Sequence, residues 1–306
     1  MSNKIIIGSR GSKLSLAYAN RVKQLISSFD TKIEKKITIK TIKTSGDIFQ
    51  DKKISEICGK NLFCKEIEDQ LIREEIDIAV HSLKDMDSIE TEGLIIEAYL
   101  ERNDPRESFV SKKYNKLSEL HNGKIGSSSR RRELQLRLIN KNIKVENIRG
   151  NVDTRIKKVE TEEFDGTILA IAGLKTLNLD KYAKEIFSLK DFIPTAGQGI
   201  IAVQCRENDE ETKKILKKIN HNETKICALA ERSFLKALGG DCDTAVGCSA
   251  ILKKDTIELN AQLFSDDGKK VFNVVKSGKS NQPQLLGKLA GEEILKISRD
   301  SFIKKR

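Results

Sequence analysis

The chain lacks the features that mark membrane proteins and zinc proteins. It contains no run of about 20 apolar residues that could cross a bilayer, and the apolar stretch Ile5–Ile7 is too short for a signal peptide. It has only three histidines, and none of its six cysteines belongs to a C-x-x-C pair, which disfavours a zinc site. We therefore expect a cytoplasmic protein without a bound metal, most of whose cysteines are small buried hydrophobic residues.

Aromatic residues are also scarce, and this limits what the high positive charge can mean. The formal net charge is +11, which raises nucleic acid as a possible partner. However, the chain has no tryptophan, only 5% aromatic residues and no interleaving of basic with aromatic residues. The arginines fall in short clusters beside glycine and serine, an arrangement that suits bound carboxylates or phosphates. A nucleic-acid-binding protein is an alternative that rests on net charge alone.

The length of 306 residues, with 38% hydrophobic and 33% charged residues, indicates a globular protein of two or three domains. A strand at Ile5–Ile7, an amphipathic helix and a buried run at Ile76–Val80 predict an α/β domain. The pattern restarts after Asn103–Arg106 and predicts a second α/β domain of similar build. A long helix at Glu223–Leu238 then leads into an α+β unit with antiparallel strands. Further predicted elements are a helix at Leu62–Arg73, strands at Ser108–Ser111, Lys124–Gly126, Thr167–Ile171 and Ile200–Val203, and helices at Arg130–Ile139, Val152–Glu160 and Leu285–Ile297.

Three predicted loops carry glycine and arginine, and the first two also carry serine. They are Gly8–Ser12, Gly126–Arg132 and Arg149–Arg155. Backbone N–H groups at a helix N-terminus favour an anion, and a guanidinium binds a carboxylate in bidentate fashion. Three adjacent arginines at the start of a helix also oppose the helix dipole, which often marks a functional site. We interpret the loops as an anion-binding cleft, with a plain strand–turn–helix junction and surface salt bridges as the alternatives.

A fourth candidate is Lys84-Asp85, which ends a buried strand beside His81 and Ser82. A carboxylate flanked by cations in a cleft can move a proton or stabilise a developing cation. The alternative is that Asp85 caps a helix.

Seven motifs, in register over most of the chain, resemble those of the porphobilinogen deaminases. They are Val80-His-Ser-Leu-Lys-Asp85, Ser128-Ser-Arg-Arg-Arg132, Arg149-Gly-Asn-Val152, Ala172-Gly-Leu174, Ala196-Gly-Gln-Gly199, Ala230-Glu-Arg232 and Gly239-Gly-Asp-Cys242. The resemblance implies a transferase of heme biosynthesis, a hydroxymethylbilane synthase, that joins four porphobilinogens into linear hydroxymethylbilane and releases ammonia at each addition. It also implies a dipyrromethane cofactor held by a thioether to Cys242, and a monomer.

The family's fold implies three domains, of which the first two are α/β domains that resemble periplasmic binding proteins and have the cleft between them. Residues 1–99 and 200–218 would form domain 1, with the lid and the catalytic aspartate. Residues 104–194 would form domain 2, with the arginine-rich cleft, and residues 222–306 the small α+β domain 3, with the cofactor cysteine.

The same resemblance implies the roles of individual residues. Catalysis would involve Asp85, Lys60, Arg10, Arg149 and Arg155, with Asp85 stabilising the azafulvene cation that remains when ammonia leaves. The cofactor would be held by Cys242, Lys84, Asp85, Ser128, Ser129, Arg131, Arg132 and Arg155. The substrate would be bound by Arg10, Ser12, Phe63, Arg149, Gly150, Arg155 and Gln198. Lys60 would gate the cleft from a mobile lid at Asp47–Phe63, and Phe63 would stack on a pyrrole ring, with ordinary core packing as its alternative.

Some positions depart from the family pattern. Thr176 stands where the family usually has arginine, so we expect one anion contact to be missing. Asp241 and Asp243 flank Cys242, and their negative charge disfavours a thiolate there. A non-catalytic two-lobed binding protein for a small polycarboxylate is the second alternative, although it has no use for Cys242 or Asp85.

Overall fold

The computed structural model describes residues 4–29, 35–48, 62–239, 244–299 and 301–302. In chain order its strands are β1 (Ile5–Arg10), β2 (Ile37–Ile42), β3 (Ile78–Ser82), β4 (Leu94–Tyr99), β5 (Glu107–Val110), β6 (Lys124–Gly126), β7 (Lys144–Glu146), β8 (Gly166–Ala170), β9 (Ala183–Ile186), β10 (Ile201–Arg206), β11 (Val246–Lys253), β12 (Thr256–Phe264) and β13 (Val271–Lys279). Its α-helices are α1 (Lys13–Phe29), α2 (Ser45–Ile48), α3 (Lys65–Ile72), α4 (Arg130–Ile139), α5 (Val152–Glu160), α6 (Ile171–Thr176), α7 (Glu210–Lys217), α8 (Asn222–Leu238) and α9 (Pro283–Ile297).

These elements form two compact units. The first comprises the described residues within 1–50, 57–103 and 199–225, and the second those within 104–198 and 226–306. The first unit holds one five-stranded sheet, and the second holds another five-stranded sheet together with a three-stranded one. The predicted fold class, two α/β sheets with a small α+β part at the C-terminal end, is confirmed. None of the described helices is long and apolar enough to cross a membrane.

The two five-stranded sheets share one topology. The first has the order β2-β1-β3-β10-β4, in which β1 is parallel to β2 and β3, and β10 is antiparallel to β3 and β4. The second has the order β7-β6-β8-β5-β9, in which β6 is parallel to β7 and β8, and β5 is antiparallel to β8 and β9. Strand β10 of the first sheet therefore follows, in the sequence, the last strand of the second five-stranded sheet.

Alternation along β3 places helices on both faces of the first sheet. Ile78 and Val80 pack with α1 in one core, which includes Val22 and Ile26. Ala79 points the other way and packs with Ile67 and Leu71 of α3. His81 lies on the same face as Ala79, because successive side chains of a strand alternate. The end of β3 thus carries polar residues directly into the layer between the sheet and α3.

Helices α8 and α9 cover the antiparallel sheet β11-β12-β13. Their shared core includes Phe234, Leu259, Ala261 and Ile294. The helices approach so closely at Gly287 that an added Cβ would lie 2.1 Å from the Ala230 carbonyl oxygen. This close approach fixes the position of α8, whose C-terminal end leads to the predicted cofactor cysteine.

One local prediction was wrong. The segment Gly8–Arg10 was expected to be a loop, but it continues β1 and pairs with Lys40–Ile42 of β2. A Cβ on Gly8 would lie 2.4 Å from a methyl group of Ile76, so glycine leaves room for that side chain. Arg10 is therefore presented by the end of a strand, which is a more rigid support than a loop.

Candidate active site

Arg10, at the end of β1, is held by an acidic and an aromatic side chain. Its Nη2 lies 2.5 Å from Oδ1 of Asp47, and its Nε lies 3.4 Å from Oδ2. The guanidinium carbon also lies 4.2 Å from the centre of the Phe63 ring. Among the described residues, Nη1 makes no hydrogen bond. The guanidinium thus keeps one edge for an external anion.

The segments that carry Asp47 and Phe63 are tied to each other. The Gly46 N–H donates to the Leu62 carbonyl at 2.9 Å, and the Ser45 N–H donates to Glu66 at 2.9 Å. The Phe63 ring is half-buried and lies against Gly46, where an added Cβ would come within 2.1 Å of the ring. Most of the predicted lid, including Lys60, lies outside the described residues.

Ser12, the second substrate ligand predicted beside Arg10, begins helix α1. Its hydroxyl accepts a hydrogen bond from the Ser15 N–H at 3.1 Å, the pattern of a helix cap. Ser12 therefore caps the strand–turn–helix junction that was given as the alternative, and its role as a substrate ligand stays a prediction. Only Arg10 within Gly8–Ser12 presents a charged group.

Asp85 lies on a 3₁₀ turn, Leu83–Asp85, that follows β3. Its side chain is partly exposed, and among the described residues it has no hydrogen bond or ion pair. The alternative of a helix cap is wrong, because Asp85 is the last residue of this turn and begins no helix. The Cys64 thiol donates to the Asp85 carbonyl at 3.5 Å, which ties the turn to the start of α3.

His81 lies behind Asp85 in a buried polar layer. The side-chain amide of Gln204 donates to Glu68 at 3.0 Å, and the Thr91 hydroxyl donates to the other oxygen of Glu68 at 2.7 Å. Nε2 of His81 is buried and has no hydrogen bond among the described residues. Burial lowers the pKa of His81 to about 4, although Gln204 and the Asp85 charge act in the opposite direction. His81 is thus a neutral base beside Asp85.

In the second unit, Arg131 and Arg132 bind one buried carboxylate, that of Glu107 at the start of β5. Arg131 Nη2 lies 2.6 Å from Oε1, while Arg132 binds with Nε at 3.0 Å and Nη2 at 2.8 Å. Burial would raise the pKa of Glu107, but the charges of Arg132 and Arg131 lower it to about 2. The alternative of surface salt bridges is therefore wrong for these two arginines. The single negative charge of Glu107 compensates only one of their two positive charges.

Arg155 adds a second uncompensated charge to this group. Its Nε donates to the Gly150 carbonyl at 2.8 Å, and it has no carboxylate partner among the described residues. Burial, followed by the charges of Arg132 and Arg149, lowers the pKa of the Arg155 guanidinium to about 10. Arg131 and Arg132 share one carboxylate, and the charges of Arg155 and Arg149 lie close to that of Arg132. We call these four arginines the arginine cluster.

The serines predicted beside the cluster shape its loops. Ser129 caps α4 by accepting from the Arg132 N–H at 3.4 Å. The exposed Ser128 hydroxyl donates to Asn147 at 2.6 Å, which joins the loops before α4 and α5. Gly150 has a φ of 107°, a conformation that favours glycine. These residues hold the loops in place, and Ser128 also presents a hydroxyl to solvent.

Two further predicted positions take part in hydrogen bonds of the fold, and their roles in binding stay predictions. Gln198 is buried and donates to the Pro105 carbonyl at 2.8 Å. Thr176, in place of the family's arginine, donates its hydroxyl to the Ala172 carbonyl at 2.8 Å within α6. Lys175 beside it lies 3.5 Å from Asp104. Neither residue of α6 replaces the missing guanidinium in the cluster.

Cys242 lies outside the described residues, but both flanks of its loop are described. The loop follows α8 at Gly239 and resumes before β11, where Ala245 packs with Leu134 of α4. In addition, the carbonyl of Ile193 accepts from Arg131 at 2.7 Å, and the next carbonyl, of Pro194, accepts from the Cys248 N–H at 2.8 Å. The described end of the cysteine loop thus packs against the helix that carries the arginines, and both are hydrogen-bonded to the segment Ile193–Pro194.

Sequence reasoning did not find the acidic partners Asp47 and Glu107. Each lies far along the chain from its arginine, so only the folded topology brings the pairs together. Glu107 had a weak signal, since it is a single acid at the start of an otherwise apolar buried strand.

The comparison with known families agrees with this arrangement. Residues 5–214 match the family model described as porphobilinogen deaminase, dipyromethane cofactor binding domain, and residues 225–296 match that of the porphobilinogen deaminase C-terminal domain. The chain belongs to the porphobilinogen deaminase family. Membership confirms the predicted family, the transferase activity and the dipyrromethane-binding domain.

Relatives named porphobilinogen deaminase align over nearly the whole chain. The protein of Bacillus subtilis is 40% identical over 94% of this chain and 91% of its own length. That of Nitrobacter hamburgensis is 37% identical over 97% and 94%. That of Ehrlichia chaffeensis is 42% identical over 86% and 88%.

Two solved structures are distantly similar to the chain. The periplasmic VFT2 domain of Bordetella pertussis BvgS is 13% identical, with a TM-score of 0.43 over 70% of this chain and 86% of that one. A TRAP periplasmic solute binding protein from Pseudomonas putida F1 is 12% identical, with a TM-score of 0.41 over 71% and 77%. Membership of the porphobilinogen deaminase family therefore rests on the family models and the sequence relatives.

Proposed function

We propose that this porphobilinogen deaminase joins four porphobilinogens into hydroxymethylbilane on a dipyrromethane cofactor bound covalently to Cys242. The observation that carries the proposal is the arginine cluster next to the described end of the Cys242 loop. Each pyrrole of the cofactor and of the growing chain carries two carboxylates. A site with more guanidinium than carboxylate groups is the counterpart that such a polyanion requires.

The residues present fit the cofactor. The pKa of Arg155 is lowered because its positive charge is buried beside other arginines. Bound carboxylates would offset the repulsion between these buried positive charges, which favours binding of an anion. Arg131, Arg132, Arg155, Ser128, Ser129, Lys84 and Asp85 would hold the cofactor, which supplies the pyrrole α-carbon to which substrate is joined.

Cys242 is the attachment point that the resemblance to the family implies, and the buried state of the described cysteines supports this choice. The four cysteines of the described part of the chain are all buried. Burial raises the pKa of Cys205 to about 12 and raises that of Cys64 well above its ordinary value. Thiols of this kind are poor nucleophiles.

Incoming porphobilinogen would be bound through its carboxylates by Arg10, Arg149 and Arg155. Arg10 offers its Nη1 edge, while Ser12, Gly150 and Gln198 complete the polar lining. Phe63 already contacts Arg10 with its ring, and it would extend this apolar face toward a pyrrole. Lys60 would close the site from the lid.

Asp85 would act on the reacting substrate. When ammonia leaves porphobilinogen, the substrate carries a positive charge that a nearby carboxylate stabilises. The Asp85 carboxylate is partly exposed and is not engaged by another described side chain, so it can accept pyrrole N–H groups and a proton. Neutral His81 behind it adds no competing positive charge.

The finer assignments belong to the same proposal. Residues 1–99 with 200–218, 104–194 and 222–306 would be the three domains, and the enzyme would be a cytoplasmic monomer.

The deciding experiment is an intact-mass spectrum of the purified protein, with Cys242→Ala and Cys58→Ala variants beside it. Cys58→Ala is the matched control, because it also removes one cysteine outside the described residues. We expect the wild type and Cys58→Ala to carry the mass of two linked pyrroles and to react with Ehrlich's reagent, and Cys242→Ala to do neither. Wild-type protein that stays unmodified even after incubation with porphobilinogen would contradict the proposal.

A further inference from the structure

Three arginines with proposed carboxylate-binding roles are anchored in the same way. In each, an oxygen of the protein accepts from Nε: Asp47 Oδ2 for Arg10 at 3.4 Å, Glu107 Oε1 for Arg132 at 3.0 Å and the Gly150 carbonyl for Arg155 at 2.8 Å. Arg10 and Arg132 are held at Nη2 as well, at 2.5 and 2.8 Å. Among the described residues, none of the three uses Nη1.

This common geometry has a chemical consequence. A guanidinium has two edges that can bind a carboxylate in bidentate fashion, one formed by Nε and Nη2 and one formed by both Nη atoms. Occupation of the first edge by the protein leaves the second available to a bound anion. It also fixes the plane of the group, so little side-chain entropy is lost when an anion binds.

At Arg10 the anchoring carboxylate is itself fixed. Asp47 accepts from the Thr44 N–H at 3.2 Å and from the Thr44 hydroxyl at 2.8 Å. Its burial would raise its pKa, but the hydrogen bond and charge of Arg10, together with Thr44, hold that pKa below its ordinary value of 3.8. The Phe63 ring restrains the face of the same guanidinium. Asp47 therefore stays charged and in place throughout the neutral pH range.

We infer that Asp47 is a positioning residue that turns the Nη edge of Arg10 toward a carboxylate of porphobilinogen. This inference rests on the proposed function, since it takes Arg10 as a substrate ligand. Asp47 touches neither substrate nor cofactor. It acts through Arg10, so its loss should weaken substrate binding more than the chemical step.

The test compares the kinetics of Asp47→Asn with those of a matched control, Asp209→Asn. Asp209 also binds an arginine, Arg206, at 3.0 Å and also caps local backbone through Thr212, and both pairs are similarly buried. We expect Asp47→Asn to raise the KM for porphobilinogen about tenfold or more, because a charge-assisted contact of Arg10 is misaligned. Its kcat should stay within about threefold, its cofactor mass should be unchanged, and Asp209→Asn should behave as wild type.

A third variant, Asp47→Glu, keeps the charge but displaces it by one methylene. We expect a rise in KM between those of the wild type and of Asp47→Asn. An unchanged KM in Asp47→Asn, or an equal rise in both asparagine variants, overturns the inference. A lower KM overturns it too, because Asp47 would then compete with substrate for Arg10. If the wild type itself neither carries the cofactor mass nor consumes porphobilinogen, the proposed function fails instead.

Discussion

His81 shows how burial sets the protonation of a single residue beside the proposed catalytic carboxylate. It is a strand residue covered by α3, and its ring lies next to Gln204 and near Asp85. Burial disfavours the charged imidazolium, so the folded protein holds His81 in its neutral form. At a pH between the two pKa values, the folded state therefore binds fewer protons than the unfolded state. Protonation of this one side chain therefore opposes folding.

We predict that His81 makes the protein sensitive to mild acid. The folded pKa of about 4 is depressed from 6.5, so the stabilisation is complete above pH 6.5 and is lost as the pH falls toward 4. The loss amounts to about 3 kcal/mol of unfolding free energy. Urea unfolding of the wild type and His81→Gln at pH 7 and pH 4 would measure it. His121→Gln, which changes an exposed histidine, is the control. Equal acid sensitivity in wild type and His81→Gln would contradict the prediction.

The arginines of the site could be predicted from sequence, but the acids that hold them could not. Arg10, Arg132 and Arg155 belong to short segments that combine glycine with arginine near the ends of predicted elements, which is a local signal. Asp47 is 37 residues from Arg10, and Glu107 is 25 residues from Arg132. Nothing near either acid along the chain indicates its partner, because the pairing depends on which strands become neighbours.

At the scale of elements, Glu107 joins β5 to helix α4. It is the first residue of the strand, and both of its arginines lie in the first turn of the helix. We predict that Glu107→Gln lowers the free energy of unfolding by about 3 kcal/mol, because two buried guanidinium groups lose their counter-charge. Urea denaturation monitored by circular dichroism measures this.

Glu133→Gln is the matched control for that experiment. Glu133 lies on α4 and, like Glu107, binds two arginines, Arg130 at 3.0 Å and Arg137 at 2.7 Å. Unlike the partners of Glu107, these two arginines are exposed. Removal of this carboxylate should cost no more than about 1 kcal/mol. Equal losses of unfolding free energy in the two variants would mean that burial of Glu107 with its two arginines contributes nothing to stability.

The crossing of α8 and α9 gives a second prediction for elements. Gly287→Ala should lower the unfolding free energy by about 1–3 kcal/mol, because its Cβ would meet the backbone oxygen of Ala230 and this oxygen cannot rotate away. Gly278→Ala serves as the comparison, since its nearest atom is a flexible Leu286 methyl group at 3.1 Å. The two variants are compared by chemical denaturation, and a loss no greater for Gly287→Ala than for Gly278→Ala would refute the tight crossing.

Most elements could be predicted from periodicity, whereas the sheet edges could not. Helices Arg130–Ile139 and Val152–Glu160 and strand Lys124–Gly126 have the predicted bounds. The edge strand Lys144–Glu146 was missed, because it has three residues, two of them exposed and charged. Helix α3 begins at Lys65 instead of Leu62, since Leu62–Cys64 form the turn that carries Phe63. Short edges and turns are set by tertiary contacts rather than by a repeating pattern.

At the scale of the whole molecule, the net charge of +11 is what supports the nucleic-acid alternative. A binding experiment tests this alternative. If the arginine cluster serves small carboxylates, a DNA duplex should bind only through diffuse attraction, which salt screens. We predict no saturable binding of a labelled duplex at about 0.15 M salt, measured by fluorescence anisotropy. Sub-micromolar binding that persists at this salt concentration would favour the nucleic-acid alternative.

The course of the chain through the two five-stranded sheets also imposes an order of events during translation. Strand β10 lies between β3 and β4, yet about 100 residues separate Tyr99 from Ile201. A ribosome that adds about 5–20 residues per second needs about 5–20 s to make this stretch. The second sheet, from Glu107 to Ile186, is synthesised within that interval. The first sheet is thus completed only after the second five-stranded sheet has been synthesised, although its own first strands leave the ribosome earlier. Until then the unpaired edges of β3 and β4 are the surfaces that a nascent-chain chaperone would meet.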